Sequence, residues 1–93
     1  VCNYSLCDDL IFTEHSKIRL QERVGFKNLL LRINNSKELY LDRDSIYHIY
    51  LGKSRVEVVA RMIPHKTLLI ITVIADCSLS DFREKRKSIM VRR

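Results

Sequence analysis

Apolar residues recur at helical spacing between Phe12 and Ile33, then alternate or run together as in strands from Leu39 to Ala75. Thr13 is placed to cap a first helix, with Glu14 in the first turn, where a negative charge suits the helix dipole. That helix is expected to run to about Val24 and to stop at Gly25, which adopts the left-handed conformation without strain. A second, short helix is expected from Lys27 to about Ile33, burying Leu29, Leu30 and Ile33 and closing at Asn34-Asn35-Ser36.

Strands follow over Lys37–Asp42, with Leu39 and Leu41 on one face, then over Ile46–Leu51, Arg55–Ile63 and Thr67–Ala75. Short turns separate them at Arg43-Asp44-Ser45, Gly52-Lys53-Ser54 and Pro64-His65-Lys66. In the third strand Val56, Val58, Ala60 and Met62 point one way, and Glu57, Val59, Arg61 and Ile63 the other. The fourth is almost wholly apolar, as in a strand buried on both faces. Ahead of the first helix, Cys2, Tyr4 and Leu6 alternate with polar residues and suit a short strand. After the last strand, Ser80 is placed to cap a helix reaching about Met90, with Phe82 and Ile89 as a sparse apolar stripe; a frayed basic arm is the alternative.

The order predicts an α+β fold, with two N-terminal helices packed on one face of a four-stranded antiparallel sheet and a possible C-terminal helix. Short connections favour a meander of adjacent strands. The opposite sheet face is expected to stay partly open to a ligand. The 93 residues make one domain, with residues 12–76 as its core and 77–93 as a basic extension.

Composition narrows the classes. Hydrophobic residues at 46% and charged residues at 30% describe an ordinary globular chain. The apolar run Leu68–Ala75 is too short to span a bilayer, which needs roughly 20 residues, and no secretory signal is visible. The net charge of +6 is concentrated after residue 80, where six Lys/Arg face only Asp81 and Glu84. A basic tail favours polyanions, or serves as a solvated terminus. The odd count of cysteines (Cys2, Cys7, Cys77) argues against a closed disulfide framework, although a Cys2–Cys7 bridge is open; free thiols in a reducing cytoplasm are the expectation. His15, His48 and His65 have no zinc-finger spacing, and with no HExxH, Cys-x-x-Cys or Gly-rich phosphate loop the sequence points to neither metal nor cofactor.

Candidate chemistry begins on the first helix. His15, Arg19 and Arg23 stand at i, i+4 and i+8 and form one stripe, which either holds an anion or is a solvated face with Glu22 as counter-ion. Arg61 sits in the polar register of its strand. Thr72 is the one hydroxyl in an apolar strand; it either bonds a neighbour or, if it faces the open side, holds a phosphate oxygen. Lys53 and Arg55 flank a turn and are candidates for backbone phosphates, as are Arg83, Lys85 and Arg86 of the tail. Tyr40, Tyr47 and Tyr50 are either base-stacking platforms or packing residues, with Tyr50 the candidate RNA contact.

The segment Phe12-Thr13-Glu14-His15-Ser16-Lys17-Ile18-Arg19-Leu20-Gln21-Glu22-Arg23-Val24-Gly25, of the type H-x3-R-x3-R, resembles the opening of small bacterial and phage domains related to the RelE-like toxins. Arg55-Val56-Glu57-Val58-Val59-Ala60 and Leu69-Ile70-Ile71-Thr72-Val73 resemble the paired closing strands of those domains. The resemblance covers about residues 12 to 76 and falls within the barnase–EndoU–colicin–RelE group of ribonucleases. It implies a metal-independent endoribonuclease of the toxin type, cutting tRNA or mRNA by attack of the ribose 2′-hydroxyl on the adjacent phosphate. In that reading His15 is acid or base, since imidazole titrates near pH ~6.5 when unperturbed. Arg19, Arg23 or Arg61 would stabilise the phosphorane, and Thr72 would orient the phosphate. It further implies an acidic antitoxin or immunity partner and action in the cytoplasm, with delivery as the C-terminal part of a secreted effector as one route. The alternative is a non-catalytic RNA- or protein-binding module of the same fold, such as a phage-encoded regulator.

Overall fold

The computed structural model describes residues 6–23, 25 and 27–92, of which 86–92 are described by their backbone. In chain order the elements are β1 (Asp9–Phe12), α1 (Glu14–Arg23), α2 (Leu29–Asn34), β2 (Leu39–Asp42), β3 (Ile46–Leu51), β4 (Val56–Ile63), β5 (Thr67–Ile74), α3 (Leu79–Ile89) and β6 (Met90–Arg92). The fold is α+β, and the meander β2–β5 is antiparallel as the short turns require. The sheet is larger and less uniform than the four antiparallel strands expected. Its order is β1-β5-β4-β3-β2-β6, and β1 lies parallel to β5 at one edge. A four-residue strand gives little periodic signal, and the mixed residues of Asp9–Phe12 carry no clear strand pattern. The strand expected around Cys2, Tyr4 and Leu6 falls almost wholly outside the described residues.

Two cores lie on the two sides of the sheet. Leu20 of α1 and Leu29 and Ile33 of α2 pack with Ile49, Leu51, Val56, Val58, Ala60, Leu68, Ile70 and Val73. On the other side Phe82 of α3 packs with Tyr40, Tyr50 and Cys77. The segment beyond residue 76 thus contributes to the core, and the C-terminal helix exists. Its first turn is capped by Ser78, whose Oγ accepts the Asp81 N–H at 3.1 Å, two residues before the expected Ser80. A serine one turn ahead of Asp81 is the better-placed acceptor for an orphan N–H.

Helix α1 begins as its sequence dictates. Thr13 Oγ1 accepts the Ser16 N–H at 3.1 Å, and Gly25 takes φ +84° after the last turn. Instead of lying across a sheet face, the helix follows the edge of β5 beyond the end of β1. The Thr13 N–H donates to the Ile70 carbonyl, the Thr13 hydroxyl to the Ile71 carbonyl, and Arg23 Nη1 to the Val73 carbonyl. Those contacts satisfy β5 acceptors that an open edge would leave free.

A bulge in β5 sets the site. Ala60 pairs with Ile70 but Val59 pairs with Thr72, so Ile71 is the extra residue. Strict alternation from Leu68 and Ile70 would send Thr72 into the α2-side core. The extra residue turns it to the opposite face, since bulges re-aim the side chains that follow them.

Candidate functional site

The register places Tyr40, His48, Val59 and Thr72 in one row across β2, β3, β4 and β5, all on the face that carries α3. His15 of α1 closes the row at the outer end, where its Nε2 lies 3.1 Å from Thr72 Oγ1. The two residues are 57 apart in sequence and meet in an exposed position. Arg61 lies two residues along β4 from Val59, on the same face, and is exposed. Helix α3 covers the inner end of the row, over Tyr40 and Tyr50. At the outer end Val59, Leu69 and Arg61 share this face with Thr72, and His15 meets Thr72 at the β5 edge.

Of the residues singled out by sequence, His15 and Thr72 are in direct contact, and Arg61 shares their face. Arg23 stays exposed, with one guanidinium nitrogen on the Val73 carbonyl. Arg19 is half-buried and has no ion pair among the described residues, and Glu22 neutralises none of the three members of the helix stripe there. Lys53 and Arg55 are exposed in and after the β3–β4 turn. The remaining RNA-binding candidates are committed elsewhere. Tyr50 is 8% exposed and its ring lies 5.3 Å from that of Phe82, so it packs instead of presenting a face to a base. Tyr40 is fully buried and Tyr47 packs against the α2-side core. Arg83 bonds Glu38 through Nε and Nη2 at 3.3 and 3.0 Å. Lys85 bonds Glu57. The Arg86 side chain lies outside the described residues.

A second polar constellation, absent from the sequence reading, sits under α3. His48 Nε2 lies 2.7 Å from Asp42 Oδ2, and its Nδ1 lies 2.7 Å from Glu57 Oε2. Lys85 Nζ donates to both Glu57 oxygens at 3.0 and 3.2 Å. The result is a chain Asp42–His48–Glu57–Lys85 that links three strands to α3. An imidazole flanked by two ionised carboxylates donates from both nitrogens, an arrangement that favours the imidazolium form of His48. Burial by itself would lower its pKa, but the hydrogen bonds to Glu57 and Asp42 outweigh burial and hold it above the ordinary 6.5. Burial would likewise raise Glu57 and Asp42; the bonds from His48, and from Lys85 to Glu57, prevail and hold both carboxyls low. The Tyr40 ring lies flat against the imidazolium, with centroids 4.6 Å apart and planes 7° from parallel, a cation–π arrangement. Burial pushes the Tyr40 phenol up, well beyond the usual tyrosine range, with Glu57 and Asp42 adding to it.

This chain of groups is not arranged as a metal centre. His48 stands between the two carboxylates and uses a nitrogen on each, and among the described residues no three His, Cys, Asp or Glu converge as ligands. Glu57 is 1% exposed, so a substrate would have to displace α3 to reach it. Its arrangement suits fixing α3 on the sheet. Cys7 and Cys77 are free and buried, and burial pushes both thiols up, which keeps them protonated and unreactive at neutral pH. No helix among the described residues is long and apolar enough to cross a membrane.

No protein-family model, no curated protein and no solved structure matches the chain.

Proposed function

We propose that the protein is a metal-independent endoribonuclease whose reacting phosphate binds where His15 of α1 meets Thr72 of β5, in a trough along that edge. The observation that carries the reading is the exposed contact of His15 with Thr72, at the end of a sheet row and on the sheet face that also carries the exposed Arg61. The β5 bulge has two effects at once: it turns Thr72 to the face that His15 reaches and brings Val73 into the α2-side core. The resemblance of the His15–Arg23 segment and the closing strands to RelE-like ribonucleases points to the same groups.

The chemistry follows from the side chains. The Thr72 hydroxyl donates to a non-bridging phosphate oxygen, which frees the His15 nitrogen it now meets. The ribose 2′-oxygen attacks the adjacent phosphorus and loses its proton to solvent. The bond to the 5′-oxygen breaks, and protonated His15 delivers its proton to that leaving oxygen. The products are a 2′,3′-cyclic phosphate and a 5′-hydroxyl. Arg61, with Arg19 or Arg23, offsets the charge that accumulates on the phosphorane. A basic protein of this kind would be held in check by an acidic inhibitor covering the cationic surface.

The test is incubation of total tRNA and mRNA with the protein in EDTA, read on a denaturing gel with end-group analysis. Cleavage with cyclic-phosphate ends is expected. His15→Ala should lower the rate by about 10²–10⁴-fold, the usual contribution of a positioned acid or base, with the fold intact by circular dichroism. Equal cleavage by His15→Ala, or none by the wild-type protein on any RNA, would refute the proposal. In the second case the protein reads as a non-catalytic binding module.

A further inference from the structure

On the α2 side of the sheet, away from the His15 trough, a cleft of about 710 Å³ opens between α2 and the β3–β4 turn. That volume falls within the range of small-molecule and nucleotide sites, roughly 300–1,000 Å³. Its charged lining is wholly cationic, with Lys27 and Arg32 from one wall, Lys53 from the other and no carboxylate between them. Arg32 reaches across the cleft, and its Nη2 donates to Ser54 Oγ at 2.8 Å, which fixes the guanidinium with its remaining N–H groups free to turn to an anion. Lys27 and Lys53 have no ion pair among the described residues. A hollow lined by one sign of charge raises the local potential and draws in the opposite charge. Leu31 on the rim is 59% exposed and offers an apolar surface, and Asn35 offers an amide. Cations, hydroxyl, amide and one apolar ledge together match phosphate, ribose and base better than they match a carboxylate-bearing peptide, which needs no stacking ledge.

We infer that this cleft is a second RNA contact, gripping the sugar–phosphate backbone of the strand whose cleavage is assigned to the His15 trough. The inference rests on the RNA reading of that trough but uses none of its residues. Because the two sites are on opposite sides of the sheet, the strand must pass around the sheet end where β3 turns into β4. The cleft therefore sets affinity, and the trough sets chemistry.

The experiment measures binding and cleavage separately. A short fluorescent 2′-O-methyl RNA, which lacks the attacking hydroxyl, is titrated with the protein across a salt series and followed by anisotropy. Single-stranded binding changes with salt by about 0.7 in log–log slope per phosphate contact. Combined Lys27→Gln, Arg32→Gln and Lys53→Gln should therefore reduce the slope by roughly 2 and weaken binding by roughly 100-fold at about 0.1 M salt. If the triple variant fails to fold, Lys27→Gln with Lys53→Gln leaves the Arg32–Ser54 bond in place and should reduce the slope by about 1.4. Wild-type affinity and slope in the cleft variants would overturn the assignment, and so would capture of polyglutamate in place of RNA. Loss of binding in the cleft variants, from a protein that cuts no RNA, would keep the cleft and sink the nuclease reading instead.

Discussion

Glu57→Gln tests whether the buried chain under α3 holds its charges as described. The substitution keeps the shape of the side chain and one acceptor oxygen, but removes the negative charge between His48 and Lys85. In the wild type the four groups sum to zero; in the variant Asp42 alone faces two cations. Taking one partner from a buried ion pair costs about 3–5 kcal/mol, because the other charge is left uncompensated. Two features reduce that here. Asp42 still bonds His48 at 2.7 Å, and the Lys85 side chain, 41% exposed, can turn to water. The expected loss is therefore about 2–3 kcal/mol, on the order of 10–20 °C in Tm for a domain of this size. Protonation linkage gives the pH window. Asp42 and Glu57 are held below their ordinary 3.8 and 4.5, so their contribution is complete above about pH 4.5 and fades as pH falls through their folded values. His48 is held above 6.5, so its contribution is complete below that pH and fades as pH rises through its folded value. Urea unfolding of both proteins at a series of pH values reads this directly. The cost of Glu57→Gln should be greatest between about pH 4.5 and 6.5 and shrink in alkali, where neutral His48 no longer strengthens the bond. A cost below about 1 kcal/mol at pH 6, or one that does not change between pH 6 and 9, would refute the imidazolium flanked by two carboxylates.

Two further substitutions probe the same face. Phe82→Ala removes the fully buried ring that anchors α3 against Tyr40 and Tyr50, and should cost about 3–5 kcal/mol by urea unfolding; a loss under about 1.5 kcal/mol would mean that α3 is not docked there. Tyr40→Phe should act in the opposite direction. The Tyr40 hydroxyl is buried without a partner among the described residues, so its removal, with the stack on His48 retained, should leave stability unchanged or raise it by up to about 1 kcal/mol; a loss above that would reveal a partner for the hydroxyl.

Much of the fold was legible because local rules governed it. Thr13, Gly25 and the three strand turns announced themselves through capping and turn chemistry, and Val56, Val58, Ala60 and Met62 faced the α2-side core as alternation required. Thr72 stood out as a hydroxyl in an apolar strand, but its direction could not be read. Alternation pointed it inward, and only the extra residue at Ile71, a non-local feature of strand pairing, turns it toward His15. The parallel strand at the edge was hidden for a related reason: four residues carry almost no period, and the partner of β1 is more than fifty positions away.

The buried chain shows why the polar face of a strand cannot be read as solvent-facing. Glu57 and His48 occupy the positions that alternation assigns to water, and they would meet water if the sheet ended at β5. The sequence beyond residue 77 decides otherwise. Phe82 needs an apolar floor and finds it on Tyr40 and Tyr50, which draws α3 across that face. Once covered, Glu57 must be neutralised, and both a cation from the neighbouring strand and one from the incoming helix supply it. Lys85 lies three residues after Phe82, on the same helix face, so the residue that buries Glu57 and the residue that pairs it arrive together. The basic character of the tail, which composition offered as affinity for polyanions, is thus partly spent inside the protein. Lys85 and Arg83 are thereby taken up by Glu57 and Glu38, whereas Arg61, Lys27 and Lys53 have no ion pair among the described residues.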